Sequence, residues 1–133
     1  MFKALFHIRR KAGLSHEQFR SHFENVHVKM AQKYFGHLMV GYHRNYPAEV
    51  IRGARVARTQ EDSPFDCISE WMLPDRATFD EIMRMMGDTP IGREFYADEE
   101  NFLDREATML ILCDDVVDTG TCSGTTQGRE NLP

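Results

Sequence analysis

Apolar and polar positions alternate with two different periods along the first 113 residues, and the switches between them mark the elements. Phe2, Ala4, Phe6 and Ile8 alternate with Lys3, Leu5, His7 and Arg9, which predicts a strand. Lys11 to Gly13 makes a turn, and Ser15 to Gly36 then predicts one long amphipathic helix. Ser15 and Gln18 form a capping box, Glu17 suits the first turn, Lys29 and Lys33 suit the last, and Gly36 offers a left-handed stop. At about 100° per residue, Phe19, Phe23, Val26, Met30 and Tyr34 share a face that reads as core. His27 lies on the border of this stripe, roughly 60° from its centre, where an imidazole can reach a cavity beside the core.

A second strand is expected over Leu38 to Tyr46, with Val40, Tyr42, Arg44 and Tyr46 on one side and Gly41 allowing close backbone approach. Pro47 to Pro64 is polar and long for an unstructured connection, and reads as a functional lid or a flap. Phe65 to Leu73 predicts a third strand, with Trp71 on one face and Glu70 on the other. Pro74 and Asp75 open a helix carrying Phe79, Ile82, Met83 and Met86. Gly87 to Pro90 breaks it, and Glu94 to Leu103 gives another short helix. Thr108 to Cys113 is apolar on both sides, which predicts a central strand. Residues 117–133 carry little to bury and read as a polar, flexible tail.

The order strand, helix, strand, strand, helices, strand is a split βαβ, or ferredoxin-like, pattern. It predicts one α+β domain over residues 1–116, with a four-stranded antiparallel sheet and the helices on one face. The strands are apolar on their other face as well. A second sheet, most simply from an identical chain, would cover it, so a homodimer is expected.

Composition narrows the partners. The net charge of −5 disfavours a nucleic-acid binder, and no apolar run approaches the roughly 20 residues that span a bilayer. Three cysteines without a CxxC spacing indicate neither a disulfide framework nor a zinc site. The start of the chain lacks a signal-peptide layout, so a cytoplasmic location is expected. On an α-helix His22 and His27 would point about 140° apart, and His16 and His27 would stand roughly 16 Å apart, so no metal is expected.

Five segments stand in order: Arg10-Lys11-x-Gly13-Leu14-Ser15-His16-Glu17-x-Phe19-Arg20, Glu24-x-Val26-His27, Tyr42-x-x-Asn45, Ser69-Glu70-Trp71 and Asp98-Glu99-x-Asn101-Phe102-Leu103-Asp104. Together they resemble the EthD-like branch of the dimeric α/β-barrel superfamily. The resemblance implies a dimer of sheets packed face to face, with a ligand cavity between sheet and helices in each subunit. Related branches include polyketide cyclases and cofactor-free oxygenases, and fungal EthD-like members are associated with decarboxylation or dehydration of polyketide intermediates. Tyr46 departs from the pattern, since many relatives carry histidine there.

The chemistry expected is therefore a cofactor-independent lyase or cyclase acting on an aromatic, polyketide-like β-keto substrate, whose own carbonyls serve as electron sink. His27 would move the proton. Tyr46, His43 or Asn45 would steady an enolate oxygen, and Glu70 would orient the imidazole or act as a second acid. Trp71, Tyr42, Met30 and Met83 would wall the pocket. The alternatives are a cofactor-free oxygenase of an anthrone-like phenol and a non-catalytic small-molecule-binding dimer.

Overall fold

A computed structural model of the chain describes residues 1–53 and 56–118. Strand β1 (Phe2–Ile8) leads through a turn at Gly13, whose φ of 92° suits glycine, into the long helix. That helix has three parts: α1 (His16–His22), a π-helical turn (Phe23–His27) and α2 (Val28–Phe35). The expected capping box holds it at the start, with Ser15 accepting from the Gln18 amide and the Gln18 side chain accepting from the Ser15 amide. β2 (Gly41–Asn45) follows, then a hairpin of β3 (Glu49–Arg52) with β4 (Val56–Thr59). After β5 (Cys67–Leu73) come α3 (Arg76–Met85), α4 (Pro90–Glu99) and β6 (Met109–Asp114).

The main sheet is antiparallel in the order β2-β5-β1-β6, which is the ferredoxin-like arrangement with the hairpin inserted after β2. Register fixes which residues share a face. Ala4 pairs with Trp71, Phe6 with Ser69, Ile8 with Cys67 and Trp71 with Tyr42, and this row faces the helices. Ala4, Ile8, Cys67, Ser69, Trp71 and Leu73 are buried there. The helices close over them with Phe19, Phe23, Val28, Ala31, Phe35, Phe79, Ile82, Phe95 and Phe102, in two adjoining apolar clusters. Each fully buried phenylalanine contributes about 2–3 kcal/mol by removing its ring from water.

Three expectations are corrected. The helix stripe changes register at the π turn. There the Val28 amide bonds to the Phe23 carbonyl, five residues back, so one extra residue is accommodated. Beyond it Val28, Ala31 and Phe35 are buried, while Val26 is exposed and Met30 and Tyr34 lie at the margin. Gly36 is right-handed (φ −54°), and the chain continues into a 3-10 turn, Gly36–Leu38, instead of stopping in a left-handed residue. The last strand, expected to be central, is an edge strand, and Met109, Leu110, Ile111 and Leu112 are each more than a third exposed. Its apolar character on both sides does not come from burial within one chain.

Part of the Pro47 to Pro64 stretch is the β3–β4 hairpin. Residues 119–133, most of the expected tail, lie outside the described residues; Val116 and Val117, which precede them, are exposed.

Candidate functional site

The π turn sets the geometry of the site. In a helix of that pitch, residues five apart are one turn apart, so His22 and His27 fall on the same side. The expected divergence of about 140° holds only for uninterrupted α-helix. Both imidazoles converge on Asp98 of α4: His22 Nε2 lies 2.8 Å from Oδ1 and His27 Nδ1 lies 2.9 Å from Oδ2. Asn101 adds an amide N–H to Oδ1 at 3.3 Å.

Helix α4 holds the carboxylate firmly. Thr89 caps its start by accepting from the Gly92 amide, and Pro90 occupies its first position. Gly92 packs onto the end of α3, where an added Cβ would lie 1.9 Å from the Gly87 carbonyl oxygen, so no larger residue fits this corner. Along α4 and the turn after it, Phe95, Asp98 and Phe102 follow one stripe, and all three are buried.

The electrostatics fix the tautomer. Burial alone would raise the Asp98 carboxyl, but hydrogen bonds from His27, His22 and Asn101 outweigh it and hold the group below its usual range. An ionised carboxylate only accepts, so His27 must present Nδ1–H to it. His27 itself is pushed below the ordinary histidine range by desolvation, with the Asp98 hydrogen bond pulling the other way. The neutral ring therefore carries its lone pair on Nε2. Three aromatic rings enclose it: Phe23 stacked at 5.7 Å, Phe95 edge-on at 5.2 Å and Phe102 at 4.7 Å between centroids.

His27 lines a cleft at the seam of the two core clusters, with about 480 Å³ of empty space including its mouth. The enclosed part is only about 70 Å³, well below the roughly 300 Å³ of an ordinary small-molecule site, so most of this space belongs to the open mouth. The walls are largely apolar: Phe6, Ile8, Ala31, Trp71, Met86 and Leu103, besides the rings around His27. Polar groups are few. Tyr42 and Ser69 line the sheet side, and Glu99 and Thr108 lie elsewhere on the wall. Burial pushes the Tyr42 phenol up to about 12, so it remains a donor at neutral pH. The Ser69 hydroxyl is fully buried and, among the described residues, has the Tyr42 phenol as its one polar side-chain neighbour, so the two groups stand together on the sheet side of the cleft.

Of the residues picked from sequence, the cleft brings together His27, Trp71 and Tyr42. Tyr46, His43 and Asn45 line a separate, open polar cleft with Arg20, Glu24 and Arg44, which meets the first at Tyr42. There Tyr46 donates to Glu24, which also takes two bonds of 3.0 Å from Arg44. Glu70 alternates with Ser69 and Trp71 along β5 and so points to the opposite face of the sheet. On that face it accepts from Asn45 at 2.9 Å and pairs with Lys3 at 3.6 Å, so it cannot orient His27. Asp98 does that. Met30 and Met83 pack against the core without lining the cleft.

Sequence reasoning missed Asp98, Ser69 and His22. Asp98 left a readable signal: Ile91, Phe95 and Phe102 make an apolar helical stripe, and Asp98 is a carboxylate within it. Among the described residues no group of three or more His, Cys, Asp or Glu side chains is arranged to hold a metal ion, and no helix is long and apolar enough to cross a membrane.

The EthD domain model matches residues 11–106, which include His27, Tyr42, Ser69, Trp71 and Asp98. The chain belongs to the EthD family. No curated protein matches it. Solved structures with the same fold include an EthD-like protein from Ralstonia eutropha JMP134 (18% identity, 88% of this chain and 93% of that one, TM-score 0.61). An EthD family protein from Bacillus halodurans C-125 is similar (16% identity, 87% and 100%, TM-score 0.59). So is an Arabidopsis thaliana protein (14% identity, 90% and 99%, TM-score 0.58). At these identities the likeness establishes the fold of this EthD chain and nothing finer.

Proposed function

We propose that this EthD protein is a cofactor-independent lyase or cyclase acting on a compact aromatic or polyketide-like β-keto substrate. The observation that carries the reading is the His27–Asp98 pair, with His27 on the wall of an apolar cleft that holds few polar groups. Nε2 of neutral His27 would take a proton from the carbon beside a carbonyl, and the electron pair would move into that carbonyl oxygen. Asp98 would stabilise the imidazolium. Tyr42 and Ser69 would donate hydrogen bonds to the developing oxyanion, in a site from which apolar walls exclude water. In dehydration the leaving hydroxide would take the proton back from His27 as water. In decarboxylation Nε2 would instead take the proton of the carboxylic acid, the C–C electron pair would move into the intact β-carbonyl as CO2 leaves, and the imidazolium would then protonate the enolate carbon. Neither sequence of steps needs an external electron acceptor.

The test is turnover of an aryl β-keto acid, benzoylacetate, with chelator present, followed by release of CO2 and loss of the substrate's ultraviolet band. Activity that disappears in His27→Ala supports the reading. Activity that persists in that variant overturns the assignment of the base, and oxygen consumption during turnover would assign an oxygenase instead. We also propose that the outer face of the sheet, with Leu5, Ile68 and Met72 half-buried and Ile111 exposed on it, packs against a second copy. A monomeric mass by light scattering at micromolar concentration would count against this.

A further inference from the structure

We propose that His22 is a positioning residue, which competes with His27 for the single negative charge of Asp98 and so keeps His27 in its proton-accepting form. Asp98 is buried, and its two oxygens are divided between two imidazoles at 2.8 and 2.9 Å. Among the described residues no guanidinium or ammonium lies within ion-pair distance of it. One carboxylate can compensate one imidazolium, and a second on the same carboxylate is repelled by the first.

The two rings differ in their access to water. His22 is 27% exposed and His27 is 13% exposed with its ring in the aromatic cage. The solvent-side ring can therefore exchange protons freely, while the cleft-side ring meets the substrate. Every other group around His27 is accounted for. From the α4 side come Asp98, Asn101 and Glu99, the last held by Arg105 at 3.1 Å. Across the cleft stands the Tyr42 phenol, protonated at neutral pH. Among the described residues His22 is thus the other imidazole that shares the Asp98 carboxylate with His27.

Both states of His22 act in the same direction. When charged it repels a proton on His27. When neutral, its Nε2–H still draws on the Asp98 charge and weakens the attraction of Asp98 for an imidazolium at His27. The proton count closes without passing a proton through the carboxylate. When His27 gains a proton at Nε2, a charged His22 loses one from Nδ1 to solvent, and it regains one when His27 returns its own.

This rests on reading His27 as the base, and the first measurement needs no substrate. The imidazole nitrogens of the full chain would be titrated by NMR with 15N-histidine, in wild type, His22→Gln and His22→Leu. Glutamine keeps an N–H for Asp98 but no titrating charge; leucine removes both. The His27 midpoint should rise in His22→Gln and rise further in His22→Leu, and both rings should titrate in two coupled steps in wild type. A His27 midpoint in His22→Gln equal to wild type would overturn the proposal and leave His22 a structural donor. Independent one-step titrations in wild type would also overturn it. Should His22→Leu fail to fold, His22→Gln decides alone. The acid limb of benzoylacetate turnover should move up with the midpoint. If the NMR midpoints move while wild type turns over no aryl β-keto acid, the coupling stands and the proposed function falls.

Discussion

His16 and His27 stand on the same long helix, and each turns Nδ1 toward a buried aspartate, His16 to Asp66 at 3.1 Å and His27 to Asp98 at 2.9 Å. Two things separate them. Asp66 is also held by Arg10, through the backbone amide at 2.9 Å and the guanidinium at 3.2 Å, so its charge is already compensated. Among the described residues Asp98 has only imidazoles and an amide. The other difference is the second nitrogen. Among the described residues His16 Nε2 is buried with no partner, whereas His27 sits on the wall of an apolar cleft. An imidazole–carboxylate pair is therefore not in itself a site. It becomes one when the far nitrogen meets space that a substrate can enter and the carboxylate depends on the imidazole for its compensation. The Asp66 pair instead ties the end of β1 to the start of the long helix and to the segment before β5, as a structural clasp.

The comparison breaks most sharply at Asp66. Asp66→Ala leaves the buried His16 ring without its carboxylate and the Arg10 guanidinium with the exposed Glu61 at 3.2 Å, and should lower unfolding free energy by about 3 kcal/mol. Urea denaturation measures it. A loss below about 1 kcal/mol, the size of one ordinary hydrogen bond, would mean that the clasp contributes little.

His27→Ala should behave in the opposite way. Turnover of a β-keto acid should fall by at least about 100-fold, in line with positioned acid–base catalysis, while circular dichroism shows an intact fold. His16→Ala should lose stability with kcat/KM per folded molecule unchanged. If His16→Ala abolished turnover in a folded protein, the two pairs would have been assigned the wrong way round.

Much of this was legible in the sequence, and the failures have physical causes. Alternation in residues 2–9 and 65–73 and the helical stripe with its capping box placed the strands and helices, because those patterns respond to burial within one chain. β6 was misplaced because its apolar residues have no cover in a single chain, and periodicity cannot say which molecule covers a face. The site was only half legible. His27, Trp71 and Tyr42 reach the cleft, but the convergence of His22 and His27 depends on a π turn, and reading at 100° per residue cannot reveal one. The facing of Glu70 depends on strand alternation. Apolar residues on both faces of that strand, Ile68 and Met72 against Trp71 and Leu73, obscured which face was which.

A smaller effect sharpens the contrast through pH. Desolvation holds His27 below its ordinary value in the folded chain, whereas the unfolded chain titrates near 6.5. As pH falls below that value the unfolded state binds more protons than the folded one, so stability must fall. Asp98 acts lower. Its depressed carboxyl contributes stability above about 3.9 that is lost as pH drops through its folded value, so it leaves the window just below 6.5 to histidine. Urea unfolding at about pH 7.5 and pH 5.5 should show wild type losing stability on acidification. His27→Gln should lose less, because the residue that resists protonation is gone. An unchanged slope in His27→Gln would mean that the cage around this ring does not control its protonation.

The smallest expected effect tests where the site ends. Tyr46 lies in the outer polar cleft, where its hydroxyl donates to Glu24 and the Arg20 guanidinium sits 4.1 Å from its ring centroid. Burial first, and Glu24 second, push the phenol well above the usual tyrosine range, so it is a neutral donor committed to that carboxylate. Glu24 keeps both Arg44 bonds when the hydroxyl is removed, so no buried charge is left bare. Tyr46→Phe should therefore lower stability by about 1 kcal/mol, one hydrogen bond's worth. It should leave kcat/KM within about twofold of wild type, a barrier change of roughly 0.4 kcal/mol. Tyr42→Phe, which removes a hydroxyl on the cleft side, should reduce turnover more. If Tyr46→Phe instead costs about tenfold in kcat with stability unchanged, its hydroxyl reaches the reacting atoms, and the two clefts form one site joined at Tyr42.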